Sequence, residues 1–91
     1  MKEISAIPEE GNSLIVFWAP WCSVCEQVKL FLKQFNTNIN LIACNIDNNP
    51  ILVGKYSILG LPTTIFFENG KEKNRLIGLF SKEELVELIK V

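Results

Sequence analysis

A chain of 91 residues, 48% of them apolar, is long enough for one domain around a single core and too apolar for disorder. Its formal net charge of −1 points to neither a nucleic-acid nor a membrane-surface partner. The absence of histidine excludes Cys-His proteases, Ser-His hydrolases and mixed Cys/His zinc sites.

Lys2 to Ile7 reads as a short, weak strand, and Pro8-Glu9-Glu10-Gly11-Asn12 as a turn. Leu14 to Trp18 is nearly all apolar, which suits a strand covered on both faces. The run Leu14 to Ala19 is too short to cross a bilayer and leads into Pro20-Trp21-Cys22 rather than a cleavage site, so we expect a cytoplasmic chain without a leader. From Ser23 to about Asn36 the period changes. Val24, Val28, Phe31, Leu32 and Phe35 recur at helical spacing, Leu30 broadens the apolar face, and Asn36-Thr37-Asn38 closes the helix. Ile39 to Ile46 reads as the next strand. Asp47-Asn48-Asn49-Pro50 then offers a cap and a proline at a first helical position, for a short helix through Tyr56.

Gly60-Leu61-Pro62 ends that region, and Thr63 to Glu68 is a strand rich in β-branched and aromatic residues. Asn69-Gly70 signals a tight turn, from which Lys71 to Leu79 returns as a polar edge strand. Ser81 to Lys90 is the closing helix. Ser81 and Glu84 form a capping box, Phe80 and Leu85 a staple, and Leu85, Val86, Leu88 and Ile89 the buried stripe. The first half alternates strand and helix, implying a parallel crossover; the second half is a hairpin followed by a helix.

Chemistry concentrates at Cys22-Ser23-Val24-Cys25, where a strand feeds a helix. Residues three apart share a helix face, so the two sulfurs can meet as a disulfide. At the helix start, unpaired backbone N–H groups and the positive dipole end favour an anion. They lower the pKa of Cys22 and produce a nucleophilic thiolate near neutral pH. Three cysteines are an odd set, which fits one catalytic pair in a reducing compartment better than a disulfide-stapled secreted fold. Cys44, in an apolar strand, reads as a small buried side chain.

Four landmarks in order resemble the thioredoxin family over nearly the whole chain. They are Phe17-Trp18-Ala19-Pro20-Trp21-Cys22, Asn45-Ile46-Asp47-Asn48-Asn49-Pro50, Gly60-Leu61-Pro62-Thr63, and Phe67-Glu68-Asn69-Gly70 with Gly78. The resemblance implies an α/β thioredoxin-like fold, with a central mixed sheet of four to five strands flanked by helices and a shortened N-terminus. It implies thiol–disulfide exchange without a cofactor or metal, with Cys22 attacking and Cys25 resolving. A cis Pro62 would face the sulfurs and leave the Leu61 backbone free to pair with substrate, while Trp21 offers an apolar contact surface. The implied partners are disulfide-containing proteins and a thioredoxin-reductase-type electron donor, with the chain a monomer that binds neither nucleic acid nor membrane.

Several positions depart from the family pattern. Val24 replaces a proline and so keeps a backbone N–H near the sulfurs. That donor should stabilise the reduced form and raise the potential above thioredoxin's value of about −270 mV by tens of millivolts. Val16 stands where the family usually carries a buried aspartate, and Ala43 where it carries the lysine partner. Glu26 follows Cys25 where relatives have a basic residue, and opposes thiolate formation. Leu30 replaces a kinking proline, which predicts a straighter helix.

Other classes make different demands. Cys22, Cys25 and Cys44 could hold a metal or cluster, but structural zinc wants four ligands, so a dimer would have to share them. A non-catalytic adaptor would capture partners without turnover. A glutaredoxin-like use of glutathione suits the short N-terminus but not Trp18-Ala19-Pro20-Trp21 ahead of the first cysteine.

Overall fold

The computed structural model describes residues 1–35 and 38–90. Five strands form one mixed sheet: β1 (Lys2–Glu3), β2 (Asn12–Trp18), β3 (Asn40–Asn45), β4 (Thr63–Glu68) and β5 (Lys71–Ile77). Helices α1 (Ser23–Gln34), α2 (Pro50–Lys55) and α3 (Lys82–Leu88) accompany them, with a 3-10 turn over Ile46–Asn48. The spatial order is β1-β3-β2-β4-β5. The β1–β3 and β2–β3 ladders are parallel, and the β2–β4 and β4–β5 ladders antiparallel. The expected crossover is therefore β2-α1-β3, and the hairpin is β4-β5.

β2 is the central strand, which is why Leu14, Ile15, Val16 and Phe17 are all fully buried despite pointing alternately to opposite faces. On one face Leu14, Val16, Ala43 and Phe66 pack with Val28 and Leu32 of α1 and Leu85 and Leu88 of α3. On the other, Ile15, Phe17, Ile42, Ile65 and Phe67 pack with Ile58, and Leu52 and Val53 of α2 lie against them. Each large side chain so buried contributes about 1.5–3 kcal/mol. The sheet is thus sandwiched between helices, with the β2 C-terminus and the start of α1 emerging at one end.

Local signals set the turns. Asn69 (φ 51°) and Gly70 (φ 81°) both take the left-handed region that a two-residue hairpin needs. A Cβ on Gly70 would also sit 3.4 Å from the Glu9 backbone. The Ser81–Glu84 capping box is present in both directions, and Phe80 packs into the same cluster as Leu85.

The structure corrects several sequence expectations. β1 is two residues long rather than reaching Ile7. Leu30 is 55% exposed and Val86 41%, so neither belongs to its helix's buried stripe. The side-chain cap at the β3 exit is Asn45, whose Oδ1 accepts from the Asp47 N–H; Asn49 caps α2 without a side-chain bond, although Pro50 is at the first turn as expected. The short helix ends at Lys55, with Tyr56 as its C-cap packed edge-on against Phe67, centroids 5.2 Å apart. α1 runs unbroken through Leu30 to Gln34. Asn36 and Thr37 of the expected closing turn lie outside the described residues.

Candidate active site

β2 ends at Trp18, and Ala19-Pro20-Trp21 carries the chain into α1. The Ala19 carbonyl accepts from the Cys22 N–H at 3.0 Å, closing this connection. Cys22 is the N-cap of α1 in extended backbone geometry, and its Sγ accepts from the Cys25 N–H at 3.2 Å. The sulfur thus sits where the helix presents its orphan donors. Cys22 and Cys25 are joined as a disulfide, with Cα atoms 5.4 Å apart. The pair is asymmetric: Cys25 is fully buried, while Cys22 is only partly so. The amide that reaches Cys22 Sγ is that of Cys25; no such bond comes from Val24, whose side chain lines the adjoining groove.

That groove holds about 480 Å³ and is walled by Trp21, Val24, Ile46, Ile58, Leu59 and Leu61 around Cys22. Its lining carries no formal charge. Trp21 is 69% exposed and Leu59 93%. The Trp21 Nε1–H points to Asp47 Oδ1 at 3.4 Å. The Leu61–Pro62 peptide bond is cis. The Leu61 N–H and carbonyl hydrogen-bond to no other described residue, as an edge for a docking strand requires. Pro62 itself is fully buried, and its carbonyl accepts from the Gly78 N–H at 2.8 Å. Arg75 steadies the other side of this loop, donating to the Tyr56 carbonyl at 2.8 Å while paired with Glu72 at 2.7 Å.

Val16 (0% exposed) and Ala43 (2%), the positions where the family carries its buried acid and base, are register partners across β2 and β3. No acid or base occupies either position. Glu26 is ion-paired with Lys29 at 3.5 Å. With the Glu26 side chain 60% exposed, its opposition to a Cys22 thiolate is softened by both the partner and the solvent. Lys29 also lies 3.6 Å over the Trp18 ring, a cation–π contact.

Cys44 is 1% exposed, and burial, helped by the charge of Glu3, pushes its thiol up to about 11. It is on the sheet face opposite Val16, in the cluster with Ile15 and Phe17. Among the described residues no group of three or more potential ligands is arranged to hold a metal.

Cys22, Cys25, Trp21, Leu61 and Pro62, the residues expected from the sequence, all lie at this end of the sheet. No part was expected for Leu59, Asn45 or Glu3. Leu59 lines the groove, and Glu3 meets Asn45, through contacts between segments far apart in the chain, which no local pattern announces.

Residues 2–91 match the family model named Thioredoxin. The chain belongs to the thioredoxin family. It is 36% identical over 80 residues to thioredoxin of Rickettsia bellii, a match covering 84% of this chain and 76% of that protein. To thioredoxin of Staphylococcus saprophyticus it is 29% identical over 85 residues, covering 89% and 82%. Its fold is that of Plasmodium falciparum thioredoxin (TM-score 0.84, 22% identity, covering 98% of this chain and 96% of that one). It is also that of oxidised mitochondrial thioredoxin 3 from Saccharomyces cerevisiae (TM-score 0.81, 17% identity, 97% and 92%). This thioredoxin-family protein is a thiol–disulfide oxidoreductase with a Cys-x-x-Cys pair.

Proposed function

We propose that the protein reduces disulfides in other proteins, with Cys22 as the attacking sulfur and Cys25 as the resolving one. The observation that carries this reading is the unequal burial of two sulfurs one helical turn apart. In the reduced form the Cys22 thiolate, at the N-cap, attacks one sulfur of a substrate disulfide. A mixed disulfide forms, and the other substrate sulfur leaves as a thiolate that takes a proton from water. Cys25 then loses its proton and attacks Cys22 Sγ, releasing the second substrate thiolate. The substrate gains two electrons, and the pair is left as a disulfide.

Trp21 and Leu61 receive the substrate segment, Leu61 through its free backbone groups and Trp21 through apolar contact; Pro62 holds the Leu61 peptide toward the sulfurs. A thioredoxin-reductase-type donor returns the two electrons. The protein works in this reading as a monomeric single domain in the cytoplasm. No helix is long and apolar enough to cross a membrane among the described residues.

Insulin-disulfide reduction with dithiothreitol tests the reaction. The wild type should turn over, Cys22→Ser should be inactive, and Cys25→Ser should accumulate a mixed disulfide. At neutral pH, iodoacetamide should label Cys22 of the reduced protein far faster than an ordinary free thiol. Equal labelling of both sulfurs at the ordinary rate would reject the assignment of roles.

A further inference from the structure

Glu3, on the two-residue strand β1, uses both of its carboxylate oxygens. Oε1 accepts from the Trp18 indole Nε1–H at 3.0 Å, and Oε2 from the Asn45 backbone N–H at 2.7 Å. β1 itself is fixed by register, Glu3 opposite Ala43, and by the Ile4 N–H to the Ala43 carbonyl at 3.0 Å. From Asn45 the chain of bonds continues. Its Oδ1 accepts from the Asp47 N–H at 2.9 Å, its carbonyl accepts from Asn49 Nδ2 at 2.7 Å, and Asp47 Oδ1 accepts from the Trp21 indole at 3.4 Å. The only two tryptophans in the sequence are therefore ends of one connected network. They bracket Ala19-Pro20, the turn into Cys22. Trp18 is held on its face as well, by Lys29. The charge of Glu3 is also felt by the Cys44 thiol at the same strand end.

We propose that Glu3 is a positioning residue for disulfide exchange: acting through Asn45 and Asp47, it holds Trp21 where a protein substrate docks. A carboxylate suits this post because both partners are donors, and charged acceptors make stronger bonds than neutral ones. Glutamine, its isostere, must turn an NH₂ toward one of those donors and break one arm. The kinetic part rests on the Cys22 reading above; the spectroscopic part does not.

The test is Glu3→Gln, with Trp18→Phe as control. In ¹⁵N–¹H spectra the Trp21 indole resonance should shift in E3Q, although residue 3 does not touch Trp21, and should stay in place in W18F, which leaves the Asn45 arm intact. Per folded molecule, E3Q should slow insulin reduction by about 3- to 10-fold, the worth of one hydrogen bond. Its reduction of the small disulfide dithiobis(nitrobenzoate), which needs no docking surface, should remain within about twofold, less than one such bond. A Trp21 resonance and insulin rate unchanged in E3Q would overturn the proposal, as would equal slowing on both disulfides. Glu3→Asp, which keeps the charge and shortens the reach, is measured in the same way should E3Q fail to fold. If the wild type reduced neither disulfide, the Cys22 reading would fall, while the indole shift would still decide the network.

Discussion

Val16 and Ala43 face one another across the parallel β2–β3 ladder, both sealed in the core between the sheet and α1. Charge is absent from the two positions together, and that is the stable arrangement. A lone carboxylate or ammonium there would be an uncompensated buried charge, whereas two apolar side chains cost nothing in desolvation. In the proposed reaction the consequence falls on Cys25, which is fully buried and would have to lose a proton before resolving the mixed disulfide.

Val16→Asp should therefore destabilise the protein by about 3–5 kcal/mol, the cost of an unpaired buried charge. Adding Ala43→Lys should recover part of it, with a coupling of about 0.5–3 kcal/mol. Urea titrations of the four members of this cycle give the coupling directly. In stopped-flow experiments, the folded Val16→Asp variant should also resolve its mixed disulfide faster at neutral pH. An unchanged resolution rate would show that proton removal from Cys25 is not limiting.

Adjacent threonines on β4 should respond with opposite signs. Thr63 Oγ1 donates to the Gly60 carbonyl at 2.6 Å, which ties the strand to the loop that carries Pro62. Thr64, opposite Val16, is fully buried, and its Oγ1 has no partner among the described residues. A hydroxyl left unpaired in the core costs about 1–3 kcal/mol. Thr64→Val, nearly isosteric, should thus stabilise the fold by about 1 kcal/mol, and Thr63→Val should destabilise it by a similar amount. Thermal melts of the two variants decide this, and a loss of stability in Thr64→Val would mean that the hydroxyl is satisfied in solution.

The readable parts of this chain were those whose cause is local. Asn69-Gly70, the Ser81–Glu84 box and the apolar run of β2 each carry their structural reason within a few residues, and each formed as expected. Other positions were harder. Asn49 caps α2 by position alone, while the side-chain cap bond belongs to Asn45 at the start of the 3-10 turn ahead of it, a turn the sequence pattern did not announce. Leu30 and Val86 satisfy helical periodicity yet face solvent, because α1 and α3 each meet the sheet along a stripe narrower than their apolar content. The site was legible as a motif at Cys22 and Cys25. The Glu3 clamp was not, since its partners lie 15 and 42 residues away.

Val24 gives the start of α1 a backbone N–H that proline would remove. In the disulfide form the Cys25 N–H is the donor at Cys22 Sγ, so the Val24 group can add to it only when a thiolate is present. One charge-assisted hydrogen bond is worth about 1.5–3 kcal/mol, or roughly 30–60 mV for a two-electron couple. Because the donor stabilises the reduced form, Val24→Pro should make the potential more negative by up to that amount. Glu26→Lys should move it the other way, by less, since the residue is exposed and already paired. Equilibration of both variants against glutathione measures the shifts, and a Val24→Pro value equal to or above the wild type's would remove the amide from the account.

Cys44 links the fold to pH on the alkaline side. Burial first, and then Glu3, push its thiol up to about 11 in the folded protein, against about 8.5 for a free cysteine. Between those values the unfolded chain gives up the proton and the folded one keeps it. The stabilisation from keeping this thiol neutral is therefore complete below about pH 8.5 and is lost as pH rises toward 11. At roughly 1.4 kcal/mol for each unit, the loss is on the order of 3 kcal/mol. Urea unfolding of the oxidised protein, in which Cys22 and Cys25 do not titrate, should show this decline between pH 8.5 and 11. Cys44→Ala starts from lower stability, because it leaves a small cavity, and should fall less steeply over the same interval. The difference between the two curves isolates Cys44, because every other group is common to both proteins. Parallel curves would mean that Cys44 ionises as readily in the folded protein as in the unfolded chain.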